Sequence, residues 1–285
     1  MKMKVAKSNG ELVEYNPRAL RISLSKSGAS KDEVDEVFDL LANEIYDGML
    51  TTDLFNLAFD YLKKYRNSYA ARYSLKRALS DLGPDGYYFE KYIKRLMETV
   101  GYNAVNGEII QGNAVTHEID VIAQKEDVLY FLECKFRNDI EAKISVTTPM
   151  YFMSRMIDIR DKEYTYFNKK LKPTKGFLVT NAYLTSDSVD WANYYNVGLI
   201  SWNYPETMSL KYLIDNLAIY PVTCLTTIFK DQHKFLLDND CLLVKDILEQ
   251  EHHLKALNLP EDKLQLLIEE AQELIDIETI ECIIE

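Results

Sequence analysis

Asp120, Glu133 and Lys135 are the residues of this chain whose types and spacing could do chemistry. Asp120 lies in the run His117-Glu118-Ile119-Asp120-Val121-Ile122-Ala123, and Glu133 and Lys135 close a second run, Val128-Leu129-Tyr130-Phe131-Leu132-Glu133-Cys134-Lys135. Both runs are short and rich in Val, Ile, Leu and aromatics. The break Gln124-Lys125-Glu126-Asp127 has the length of a hairpin loop, so two adjacent antiparallel strands are expected. Side chains alternate along a strand, which places Glu133 and Lys135 on one face and requires Asp120 to share it. Charges gathered on the inner part of a sheet each cost several kcal/mol of desolvation unless they pair or coordinate a cation. Mg²⁺ or Mn²⁺ suits such a set, because hard divalent ions take oxygen ligands and accept one or two carboxylates. Asp120, Glu133 and the main-chain carbonyl of Cys134 are the expected metal ligands. The competing reading is a same-face ion pair of Glu133 and Lys135 on an edge strand, with Asp120 an unrelated charge.

The elements that must position these residues belong to a chain of 285 residues that is 47% apolar, enough for two domains and a small third. The start, Met1-Lys2-Met3-Lys4-Val5, leads into an alternating segment with no apolar leader, and no apolar run has the length of a membrane span. A cytoplasmic location with no membrane partner is expected. Cys134, Cys224, Cys241 and Cys282 are widely spaced without a Cys-x-x-Cys, which argues for reduced thiols over a structural zinc site or a disulfide framework. A net charge of -12 is unfavourable for a phosphate-binding protein, yet residues 216–285 alone hold 5 Lys and Arg against 15 Asp and Glu. The acidity sits in the tail.

At the front, Asn9-Gly10 separates two alternating runs, the signal of a two-residue hairpin. Asn16-Pro17 opens a helix as N-cap and first residue, Ser30 and Glu33 have capping-box spacing, and further helices begin near Thr51 and Ser68. This hairpin with its helical bundle, the Val-x-Lys-x-x-Gly of residues 5–10, Glu14, Asn16 and the Tyr-Ala-x-x-Tyr of residues 69–73 resemble the ATP-cone, a nucleotide-sensing module. The resemblance implies that Val5, Lys7 and Asn16 lie near a bound ATP or dATP, with Lys7 facing phosphate. Ser8 and Ala19 stand where that family has basic residues.

In the middle, apolar residues at 89, 92, 93, 96, 97 and 100 form one helical stripe that ends at Gly101. A helix within residues 145–160, a strand Gly176 to Asn181, a helix Ser186 to Tyr195 and a strand Val197 to Trp202 follow the central pair, which makes a mixed α/β sheet with helices on its faces. Asp, twelve residues, then Glu-x-Lys resembles the motif of the restriction-endonuclease-like (PD-(D/E)xK) nucleases, and Val179-Thr180-Asn181 with its following helix and strand resembles their Mrr-type branch. The resemblance implies Asp120 and Glu133 as metal ligands, Lys135 as the residue that positions or deprotonates the attacking water, and Glu90, on the preceding helix, as a further acidic residue near the metal.

Between Arg160 and Lys175, Lys169, Lys170, Lys172 and Lys175 are interleaved with Tyr164, Tyr166 and Phe167, the composition of a nucleic-acid contact as well as of a solvated basic loop. From Tyr220-Pro221 onward the pattern is short amphipathic helices whose negative charge suits a protein partner or self-association better than DNA. The expected fold class is therefore α/β in three parts: an ATP-cone-like hairpin and bundle (1–83), a restriction-endonuclease-like core (84–215) and an acidic helical tail domain (216–285). The expected function is a Mg²⁺-dependent endonuclease acting on nucleic acid, DNA favoured, with ATP or dATP as effector. The alternative is a catalytically inactive regulator that senses nucleotide and binds nucleic acid.

Overall fold

Asn9 and Gly10, the latter at φ +83°, turn the chain between the antiparallel strands β1 (Lys4–Ala6) and β2 (Leu12–Glu14). The computed structural model describes residues 3–7 and 9–276; Ser8 and Cys282 lie outside them. Asn16 accepts a hydrogen bond from Ala19 N–H at 3.1 Å and so caps α1 (Pro17–Ser25). Ser30 and Glu33 form the expected capping box at the start of α2 (Lys31–Glu44). Next come β3 (Met49–Leu50), parallel to β1, then α3 (Thr51–Tyr65) and α4 (Asn67–Tyr73). Leu24, Val37, Leu41, Ala58 and Leu62 are fully buried between these helices.

The chain continues through α5 (Leu75–Ser80), α6 (Tyr87–Thr99), β4 (Asn103–Gln111), β5 (Thr116–Lys125), β6 (Val128–Cys134), β7 (Lys143–Ile144), α7 (Thr147–Ile159), β8 (Tyr164–Tyr166), β9 (Lys169–Leu171), β10 (Pro173–Val179), β11 (Tyr183–Leu184), α8 (Ser186–Tyr194), β12 (Gly198–Ile200) and α9 (Leu210–Leu217). A five-stranded mixed sheet in the order β12-β10-β6-β5-β4 is its centre. β10 runs parallel to β6 and β12, whereas β4 and β5 are antiparallel to their neighbours. Phe131 on β6 packs with Phe152, Met156 and Ile159 of α7 on one face. The buried stripe of α6, which includes Phe89, Tyr92, Ile93 and Leu96, is covered, and Tyr92 Oη donates to the Ile219 carbonyl at 2.7 Å. The fold is mixed α/β, as its alternation of strand and helix patterns indicates.

The last helices are α10 (Lys230–Asp238), α11 (Val244–Glu249), α12 (Glu251–Ala256) and α13 (Glu261–Ile275). The chain forms two compact units, one of residues up to Leu75 together with those from Cys224 onward, the other Lys76–Thr223. The helices from α10 onward thus share a unit with α1 to α4. Polar contacts join α13 to α4: the Glu273 carboxylate accepts from Arg66 at 3.0 Å and from Ser68 at 2.5 Å, and its carbonyl accepts from Arg72. One acidic residue of this segment, Glu273, thus has a cationic partner about two hundred residues upstream. Cys134, Cys224 and Cys241 are buried free thiols. No described helix is long and apolar enough to cross a membrane.

Candidate active site

The β5–β6 register pairs Val121 with Leu132, so Asp120 and Glu133 stand opposite each other one step past the last paired residues, on one face of the sheet. Asp120 Oδ2 accepts from Cys134 N–H at 2.6 Å. Lys135 N–H turns the other way and bonds the Val179 carbonyl of β10 at 2.7 Å. Because peptide groups alternate along a strand, this turns the Cys134 carbonyl, like its N–H, toward Asp120. Asp120 thus has Glu133 opposite it across the strands and the Cys134 main chain beside it.

Lys135 follows β6 in a loop that the Val-Thr-Asn segment holds at three points. Thr180 Oγ1 donates to the Lys135 carbonyl at 2.5 Å, Asn181 Oδ1 accepts from Arg137 N–H at 2.8 Å, and Asn181 Nδ2 donates to the Arg137 carbonyl at 2.7 Å. Thr180 and Asn181 are buried, so the loop is anchored from inside. The Lys135 ammonium acts electrostatically on both Asp120 and Glu133. Glu90 sits in the first turn of α6, behind Gly86, which adopts φ +95° and whose missing Cβ would come within 3.3 Å of Phe136 Cβ. Only glycine suits that left-handed turn, and the turn aims the helix start at the loop.

Like charges define the site. Burial first, and then repulsion from Asp120, push the Glu133 carboxyl up to about 7, against the pull of Arg155 and Lys135. Burial, followed by Asp120, Glu118, Glu133 and Asp85, pushes Glu90 up to about 7 as well. Burial also raises Asp120, opposed by the Cys134 N–H and Arg155. Asp120 thus resists the ionisation of Glu133, and both resist that of Glu90, an arrangement that a hard cation would relieve. Two carboxylates and a carbonyl fit Mg²⁺ or Mn²⁺ in donor chemistry. No group of three or more His, Cys, Asp and Glu side chains among the described residues is arranged as a metal cluster, so the fit rests on Asp120, Glu133 and the Cys134 carbonyl with water or phosphate completing the shell.

Sequence reasoning missed Arg155. This residue of α7 donates from its NH1 nitrogen to Glu133 Oε2, and both side chains are only 11% exposed. One turn on, Asp158 accepts from His117 Nε2 at 2.7 Å, from Ala114 N–H at 2.8 Å and from Val115 N–H at 3.3 Å. The only sequence signal is a lone cation inside Tyr151-Phe152-Met153-Ser154-Arg155-Met156-Ile157.

Other expected site residues are not brought together. The basic segment is a β8–β9 hairpin leading into β10, and Pro173 lies beside Leu129 while Leu178 lies beside Glu133. At about 3.3 Å per residue, Lys175 is about 10 Å and Lys172 about 17–20 Å along the sheet from the level of Glu133. Lys169 pairs with Asp127 at 2.8 Å and Lys170 with Glu163 at 2.9 Å, whereas Lys172 and Lys175 are exposed, with Lys175 Nζ 5.4 Å from the Phe177 ring centroid. In the other unit, Val5 is buried, Lys7 pairs with Glu11 at 2.9 Å, and the Asn16 amide caps α1. The β1–β2 register places Lys7 at the turn and Asn16 beyond the open end, about 16 Å apart at 3.3 Å per residue.

Residues 220–275 match the family model described as AF1548-like, C-terminal. An uncharacterised protein of Archaeoglobus fulgidus is 28% identical to this chain over 182 residues, spanning 64% of this chain and 98% of that protein. The crystal structure of a protein of unknown function, AF1548, is similar over 66% of this chain and 97% of that one, at 27% identity and a TM-score of 0.54.

Proposed function

We propose that the Lys76–Thr223 unit is a Mg²⁺- or Mn²⁺-dependent nuclease of the restriction-endonuclease-like type, hydrolysing phosphodiester bonds in nucleic acid, with DNA the favoured substrate. The observation that carries this reading is that Asp120 and Glu133 stand opposite each other at the end of β5 and β6, with the Lys135 charge acting on both and Glu90 close enough to share their electrostatics. A bound divalent ion there supplies a low-pKa water and neutralises phosphoryl charge. Asp120, through the oxygen left after its contact with Cys134 N–H, and Glu133, which Arg155 holds in the absence of an ion, would be the carboxylates that hold it. Lys135, fixed by Thr180 and Asn181, orients the attacking water and offsets developing negative charge. Glu90, with a carboxyl poised near neutrality, is suited to pass a proton. The test is a cleavage assay on single- and double-stranded DNA and RNA, with and without Mg²⁺. Asp120→Ala and Glu133→Ala should be inactive yet folded, and cleavage that persists in both variants or in excess chelator rejects the reading.

One observation favours the alternative, a catalytically inactive regulator that binds nucleic acid. Arg155 already compensates Glu133, so this carboxylate is not left without a cation. For the first unit, the resemblance to the ATP-cone supports ATP or dATP as an effector, and the short helices after Tyr220 support a protein partner or a second copy of the chain.

A further inference from the structure

Arg155 emerges from α7 between Phe152 and Met156, whose side chains are buried against the sheet, and reaches Glu133 along the edge of that core. Tyr151, one turn earlier, is 64% exposed and lies 5.9 Å from the Arg155 guanidinium, face to cation. NH1 is the nitrogen bonded to Glu133; no other nitrogen of Arg155 is sealed from solvent without a partner. A guanidinium presents five N–H donors in a planar fork that suits carboxylate and phosphate alike. Its charge is felt by Asp120 as well as by Glu133, the same two groups a divalent ion would join.

The geometry points to Arg155 as an exchangeable counter-cation: it holds Glu133 while no divalent ion is bound, and once an ion takes the carboxylates it donates instead to a non-bridging oxygen of the scissile phosphodiester. This rests on the nuclease reading and adds a phosphate-positioning residue to it. Two cations competing for one carboxylate weaken each other, so removing Arg155 should strengthen metal binding while weakening catalysis. A side chain that only props the site would move both the same way. No bond is made or broken by Arg155 itself; it exchanges one anionic oxygen for another.

The experiment uses the full chain at pH 8, with Mn²⁺ affinity read by calorimetry without nucleic acid and cleavage read on a labelled DNA duplex at saturating Mn²⁺. R155M should bind Mn²⁺ about tenfold tighter or more, in keeping with the coupling of close charge pairs, and cleave about 100-fold slower. R155K, which keeps the charge but not the fork, should bind Mn²⁺ within a few-fold of wild type and recover part of the rate. If R155M does not fold, R155Q answers the same question with a polar head against Glu133. Wild-type cleavage with equal or weaker Mn²⁺ binding by the folded variant overturns the counter-cation role alone. Wild-type protein that neither binds Mn²⁺ nor cleaves overturns this inference together with the nuclease reading.

Discussion

A cation that binds ionised Glu133 must displace the proton this carboxyl holds at low pH, and that competition has a size. With a carboxyl near 7, Glu133 is about 90% protonated at pH 6 and about 90% ionised at pH 8. Metal affinity should therefore rise about tenfold from pH 6 to pH 8 through Glu133, and by up to about 100-fold if Glu90 ionises in the same step. Each factor of ten is about 1.4 kcal/mol, so at a fixed Mn²⁺ concentration well above the dissociation constant the added stabilisation is about 1.4–2.7 kcal/mol larger at pH 8. That corresponds to an extra rise of roughly 3–10 °C in the midpoint. The metal-free protein should behave in the opposite sense. A folded-state carboxyl raised above its ordinary 4.5 binds more protons than the unfolded chain, so the favourable state persists below about 4.5 and stability is lost as pH rises toward about 7. The two tryptophans, Trp191 and Trp202, both lie in the unit that carries the site, so a melt followed by their fluorescence reports on that unit. A Mn²⁺ shift equal at pH 6 and pH 8, or one retained by Asp120→Ala and Glu133→Ala, refutes the reasoning.

Three further outcomes are expected. Asn181→Ala leaves the Arg137 N–H and carbonyl without their buried partner, which should cost about 2–3 kcal/mol in a denaturant titration and slow cleavage while Mn²⁺ affinity stays the same. Lys172→Ala with Lys175→Ala should lower the salt slope of DNA binding, measured by anisotropy, by about 2, whereas Lys169→Ala with Lys170→Ala should lower it less because both side chains already have carboxylate partners. Calorimetry with ATP and dATP should show binding that Lys7→Ala weakens. An unchanged isotherm for that variant would mean that the Lys7–Glu11 pair is only a local contact.

The legible parts of this protein are those fixed by neighbours in sequence. Two apolar runs and a four-residue break were enough to foresee β5, β6 and their pairing, and with it the opposition of Asp120 and Glu133. Caps at Asn16 and Ser30 were equally local. What depended on a crossover was not legible. The lysines of the β8–β9 hairpin have a composition suited to phosphate, but only the parallel register of β10 on β6 reveals that they lie toward the far end from Glu133. Lys7 and Asn16 are nine residues apart in sequence, yet a hairpin of three-residue strands turns them to opposite ends. Arg155 was hidden because its role is set by the rotation of α7 on the sheet, which no pattern within the helix records. Glu273 likewise finds Arg66 and Ser68 through tertiary packing, a pairing across about two hundred residues that no local pattern records.

The contacts of Asp158 carry one more implication, in the domain of amide hydrogen exchange. Asn113, Ala114 and Val115 form an exposed turn between β4 and β5, where amide protons ordinarily exchange within seconds. Here Asn113 N–H donates to the Asp158 carbonyl at 2.9 Å, and the Ala114 and Val115 N–H groups donate to its carboxylate. A Cβ on Gly112 would lie 2.1 Å from Asp158 Oδ2, so the turn and the end of α7 are pressed together without room for a side chain. These three surface protons can exchange only when the end of α7 lifts from the sheet. Their deuteration rate is a clock for the movement of the helix that carries Arg155, readable in the intact protein with no label and no substitution.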